Sequence, residues 1–192
     1  YHGHMLGFGG HPLRSIALLA SCALVVVLSL RLIALNRANA GLRMRAVQPH
    51  AGDAVPAFLA TTVNGDTLTI GEGTDPAARQ VLFVLTTTCP FCRATLPVWA
   101  VLADSLARLG KGHIRVVAIS LDSLGQSRRY AAEHGIRYPV VTLLSEKLRR
   151  LYRARCVPQT IVLNSEGVVL FAHVGRIQAG PTLDSVYAVA GP

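Results

Sequence analysis

The stretch "VLFVLTTTCPFCRATLPVW", Val81 to Trp99, constrains the fold more than any other. It opens on Val81 to Thr86, an apolar run without alternation, the pattern of a strand covered on both faces. The period then changes. Leu96, Trp99, Leu102, Leu106 and Leu109 fall at three- and four-residue steps, which predicts a helix over Pro90 to Leu109. Pro90 suits the first helical position, where its missing N–H would have had no partner. Pro97 is expected to kink this helix and Gly110 and Gly112 to end it. A doubly covered strand feeding a long helix belongs to an α/β architecture.

The flanking segments extend that architecture. "AFLATTVNGDTLTI" (Ala57 to Ile70) has two β-prone runs around Asn64-Gly65, a strong hairpin signal. "IRVVAIS" (Ile114 to Ser120) is a second buried-type strand, and Ser123 to His134 a second helix closed by Gly135. "PVVTLL" reads as a short strand and "EKLRRLYRAR" as a basic helix. "TIVLN" and "VVLFAHV", joined by "SEG", make an antiparallel hairpin, and a last helix covers Pro181 to Ala190. The order predicts a mixed central sheet flanked by helices, preceded by an N-terminal hairpin.

Ahead of this domain lies a different kind of sequence. Ser15 to Leu35 holds a single charge, Arg31, over about 21 residues, enough for a helix across a hydrocarbon layer of about 30 Å. The chain thus divides into an N-terminal tail (1–14), a transmembrane or signal-anchor helix (15–36), a linker (37–52) and a globular domain (53–192). The length of the run favours an uncleaved anchor, since signal h-regions are shorter; "ANA", Ala38 to Ala40, keeps cleavage as the other reading.

Charge follows the same division. Of the net charge of +9, five come from Arg14, Arg31, Arg37, Arg43 and Arg45, and the first acidic residue is Asp53. Basic residues that flank an apolar helix point to lipid headgroups. Without aromatic-basic interleaving they do not point to nucleic acid. Counted by the positive-inside bias, the same arginines would leave the domain in the cytoplasm.

Cys89 and Cys92 stand three apart between the strand and the helix. A structural zinc site needs four ligands, and the other cysteines are Cys22, in the leader, and Cys156. Haem attachment wants His after the second cysteine, where Arg93 stands. So short a loop gains little as a staple. A redox centre explains more. A sulfur at the helix mouth faces free N–H groups and the positive end of the macrodipole, a setting that favours thiolate. Cys92, one turn on, is placed to attack a mixed disulfide formed at Cys89.

At these residues the chain resembles the thioredoxin fold, and within it the TlpA/ResA-like thiol–disulfide oxidoreductases of the redoxin superfamily. The resemblance runs from about Gly52 to Gly191. "GDAVPAFLATTVNGDTLTI" resembles the family's N-terminal β-extension, and "LFVLTTTCPFCRATLPVW" its active-site strand and helix. "RCVPQTIVLNSEGVVL" is similar to its cis-proline loop and hairpin. The resemblance implies a cis Pro158 against the cysteine pair, with the Val157 backbone free to pair with a substrate peptide. It also implies a membrane-tethered, extracytoplasmic (periplasmic) domain, against the arginine count. Protein disulfides or dithiols would be its substrates, a membrane or periplasmic electron donor its partner, and no metal or other cofactor is implied. Assistance to cytochrome c maturation fits the family.

Four positions depart from the pattern. Thr95 stands where many members carry an acid, and Phe83 where cytosolic thioredoxins place an aspartate. Pro90-Phe91 replaces the thioredoxin Gly-Pro. The proton route of Cys92 is therefore open, with water held by threonines such as Thr86 and Thr95 one option. Cys156 is either a small buried hydrophobe or a third redox thiol. Arg149, Arg150, Arg153 and Arg155 are either a solvated helix face or a selector of acidic partners. His113, His134 and His173 form no recognisable ligand set.

Two other functions fit the motif less fully. Thr86, three residues before Cys89, matches the peroxiredoxin T-x-x-C, although Leu82 occupies the expected proline position. A Cu(I)-binding chaperone would pair the soft thiolates with a distal histidine, and His173 is the candidate.

Overall fold

The computed structural model describes residues 12–73, 75, 77–110 and 112–191, without the side chains of 12–14 and 40–47. Most of the expected N-terminal tail lies outside the described residues. Two compact units divide between Met44 and Arg45.

The N-terminal unit is built on α1 (Pro12–Val47). Its segment Ser15–Asn39 is long and apolar enough to cross a membrane, and side chains such as Leu19 and Leu24 are exposed. The segment from residue 37, expected to be a linker, remains helical through Val47. Leu42, Arg43, Met44, Arg45 and Ala46 are all good helix formers, and one Gly41 costs only about 1 kcal/mol.

The second unit carries two sheets. β1 (Phe58–Thr61) and β2 (Thr67–Ile70) form the N-terminal hairpin, in register Thr61↔Thr67 at its turn. Five further strands follow: β3 (Arg79–Leu85), β4 (Ile114–Ser120), β5 (Val140–Thr142), β6 (Gln159–Leu163) and β7 (Val169–Val174). Their order is β5-β4-β3-β6-β7, with β3, β4 and β5 parallel and β6 and β7 antiparallel to their neighbours. This is the mixed sheet the sequence predicts.

Alternation along β3 explains how one strand organises two cores. Val81, Phe83 and Leu85 face α2 (Pro90–Leu109) together with residues of α3 (Leu124–Glu133) and α5 (Pro181–Ala190). Leu82 and Val84 face the other way, onto Ile70 of the hairpin and onto Tyr152, which follows α4 (Glu146–Leu151). β3 begins two residues earlier than its apolar run. Gln80, polar yet buried, accepts from Gly71 N–H at 2.9 Å and donates to Glu72 and Thr69 carbonyls, so it ties the hairpin's end to the sheet.

α2 is the best-sealed helix. Leu96, Trp99, Leu102 and Leu106 are buried as the helical period requires. Leu109 departs from that expectation at 52% exposed. Trp99 is fully buried, stacks on Phe83 at 4.8 Å, and donates its indole N–H to Thr160 Oγ1 at 2.9 Å. That hydrogen bond reaches across to β6, so helix and sheet are fixed by direction as well as by area.

Candidate active site

β3 ends at Leu85, and four residues later the chain turns into α2. Cys89 is the N-cap: its backbone is extended, and its sulfur accepts the Cys92 N–H at 3.2 Å. One of the helix's orphan donors is thereby satisfied by the thiol itself. Pro90 occupies the first helical position as expected. Cys89 is partly exposed, Phe91 is 61% exposed, and Cys92, on the inner face of the same turn, is 0% exposed. All four cysteines are free thiols.

Burial, followed by the hydrogen bond with Cys89, pushes the Cys92 thiol up to about 12. The backbone of Thr86 acts against this shift without overcoming it. Cys92 therefore holds its proton at neutral pH.

The opposite wall is the loop into β6. The Val157–Pro158 peptide bond is cis, as the resemblance implied, and the Val157 carbonyl lies 3.9 Å from Cys89 Sγ. The Gly175 N–H fixes the same loop by donating to Pro158 O at 2.8 Å. Cys89, Cys92, Val157 and Pro158, separated by up to 69 positions, are thus one site. Thr86 belongs to it through its carbonyl, which accepts the Cys89 N–H at 3.3 Å. Thr95 is buried and turned inward on α2, but its hydroxyl donates to the Phe91 carbonyl at 2.8 Å. Cys156 is half-buried, one residue from Val157.

The arginine run separates into two roles. Arg149 donates to the Leu143 and Leu121 carbonyls, and Arg153 reaches Gln48 O and Asp53, so both tie the loop region down. Arg150 and Arg155 are exposed. Of the histidines, His113 pairs with Asp75, His134 stacks on Tyr130, and His173 Nε2 lies 3.3 Å from Arg176 O. Among the described residues no group of three or more His, Cys, Asp and Glu side chains is placed to hold a metal ion.

Two residues near the pair carry no sequence signal. Tyr130 is buried in the cluster that holds Cys92, and its hydroxyl has no hydrogen-bond partner among the described residues. Burial first, then the charges of Cys92 and Cys89, raise its pKa. Asp122, just beyond β4, accepts the Thr87 N–H at 2.6 Å. Each acts across the fold, which local spacing does not encode.

Fold and site together define a class by architecture, a thioredoxin-like α/β domain with two free cysteines at the N-terminus of the helix that follows its central strand. Residues 51–172 match the AhpC/TSA family, and the chain belongs to it. The chain is similar to the methylamine utilization protein MauD of Methylobacillus flagellatus, with 27% identity over 154 residues, 79% of this chain and 70% of that protein. Among solved structures it resembles StoA from Bacillus subtilis (18% identity, TM-score 0.57, 71% of this chain and 97% of that one). It also resembles a Chlorobium tepidum protein assigned as thiol:disulfide interchange protein DsbE (22% identity, TM-score 0.61, 74% and 99%). At such identities the two structures speak for the fold.

Proposed function

We propose that this chain is anchored in a membrane by residues 15–36 and exchanges disulfides with protein partners through Cys89 and Cys92. The observation that carries the proposal is the unequal pair: a reachable sulfur at the mouth of α2 and a sealed, protonated one a single turn behind it.

Each step balances. Cys89 thiolate attacks one sulfur of a client disulfide; the client S–S bond breaks, a Cys89–client disulfide forms, and one client thiolate leaves. Cys92 then gives up its proton and attacks Cys89 Sγ. The second client thiolate leaves, and the Cys89–Cys92 disulfide closes. The client gains two electrons, and a dithiol or membrane-borne electron donor returns them to the pair. The Val157 backbone lines the approach, with Pro158 holding it toward the sulfur. Reduction of disulfides for cytochrome c maturation, or in an accessory enzyme, is the client class we favour, on the extracytoplasmic side.

The test is reduction of a peptide disulfide by the purified chain in a dithiol-fed assay. Wild type is expected to turn over and Cys89→Ser to fall by at least about a thousandfold, the scale of losing an activated nucleophile. Equal rates for the two would remove the proposal. Peroxide consumption run in parallel separates the peroxidase reading, which Thr86 and the family match keep in view.

A further inference from the structure

The register of β3 against β4 places an acid beside the active-site turn. The strands run parallel with Leu85 opposite Ser120, so two residues on, Thr87 meets Asp122. The meeting is a hydrogen bond: Asp122 Oδ2 accepts the Thr87 N–H at 2.6 Å. Asp122 is itself held. Its N–H donates to Ser120 Oγ at 3.3 Å, Ser127 Oγ donates to Ser120 Oγ at 2.7 Å, and both serines are buried. The preceding residue is anchored too, with Leu121 N–H on Leu85 O at 3.0 Å and Arg149 on Leu121 O.

The Thr87 N–H shares its peptide unit with the Thr86 carbonyl. That carbonyl accepts the Cys89 N–H at 3.3 Å, and Cys89 Sγ in turn accepts the Cys92 N–H. One peptide plane therefore connects the Asp122 carboxylate to the backbone of the cysteine that faces solvent. Drawing on the N–H end polarises and orients the C=O end, as coupled hydrogen bonds do. With this plane fixed, Cys89 keeps the N-cap geometry that presents its sulfur. Asp122 enters from just beyond β4 and acts on the turn.

We propose that Asp122 is a positioning residue for Cys89, acting through the Thr86–Thr87 peptide. The inference rests on the oxidoreductase reading for its meaning, but its test does not need that activity. The rate at which iodoacetamide modifies Cys89 is measured at fixed pH by mass spectrometry of the Cys89 peptide in the reduced full chain. Wild type, Asp122→Asn and Asp122→Ala are compared, with Asp122→Ser replacing the alanine variant if that one does not fold. Asparagine keeps a carbonyl acceptor without the charge, whereas alanine and serine cannot reach Thr87.

Removing a negative charge near the sulfur favours thiolate, so a slower variant cannot owe its slowness to charge loss. The alanine or serine variant is expected to react roughly fivefold more slowly than Asp122→Asn, the scale of one lost neutral hydrogen bond of about 1 kcal/mol. Asp122→Asn should stay within about threefold of wild type. Equal rates for Asn and Ala variants that both fold would overturn the proposal, since a purely structural role would lower Tm alone. If instead wild type reduces no disulfide while the rate ratio stands, the functional reading fails and the positioning role survives.

Discussion

The two ends of the active-site turn are built on opposite principles. At Cys89 the sulfur is partly open, the neighbouring Phe91 projects into solvent, and the contacts are polar and backbone-borne: Cys92 N–H, Thr86 C=O, Val157 C=O. At Cys92, three residues on, the surroundings are a closed hydrophobic cluster with Phe83, Leu96, Trp99 and Tyr130. The same residue type thus meets water at one end and is sealed from it at the other. Under the function proposed above, the difference would divide the labour: the open end selects which sulfur a client can reach, and the sealed end keeps the second thiol protonated until a mixed disulfide has formed.

The comparison breaks most severely if the seal is removed. Trp99→Ala takes away the stacking partner of Phe83 and the hydrogen bond to Thr160, and leaves a cavity over the floor of the site. A loss of about 3–5 kcal/mol is expected on denaturant unfolding. In the surviving folded fraction Cys92 should become open to small alkylating reagents. A stable variant with Cys92 still protected would mean that the seal lies elsewhere.

A smaller effect sharpens the contrast through pH. Burial pushes the folded Cys92 thiol up to about 12 from an ordinary value of 9.0. Below both values its thiolate fraction rises tenfold per pH unit, so resolution of a Cys89 mixed disulfide should accelerate by about tenfold per unit from pH 7 upward, without levelling before pH 9. The sign for stability runs the other way. Above pH 9 the unfolded chain has lost a proton the folded chain keeps, so the reduced protein should lose stability as pH rises. Stopped-flow resolution rates that keep rising past pH 9 are expected, and rates that level off near pH 9, as an ordinary thiol's would, contradict the burial of Cys92.

How much of this was legible beforehand depends on how far each interaction reaches along the chain. The helices Pro90–Leu109 and Pro181–Ala190 coincide with their expected bounds, because proline at the start and glycine at the end are local punctuation. The cysteine pair and Pro158 were legible from motif and resemblance. The start of β3 was not, since Arg79 and Gln80 read as polar and only the folded hairpin supplies partners for Gln80. The continuation of α1 past residue 36 was masked by the polar character of that segment, although its helix propensity is good. The arginines at 149 and 153 looked equivalent to their neighbours until tertiary carbonyls gave them partners. Asp122 and Tyr130 approach the site through sheet register and core packing, and no spacing announces either.

Trapping the first covalent intermediate tests the division of labour most directly. Cys92→Ser and Cys89→Ser chains, each reduced, are mixed with an excess of a peptide disulfide and mapped without reductant. The account predicts rapid, stable accumulation of a Cys89–peptide disulfide in Cys92→Ser, and no comparable adduct at Cys92 in Cys89→Ser. An adduct forming at Cys92 as fast as at Cys89 would contradict it.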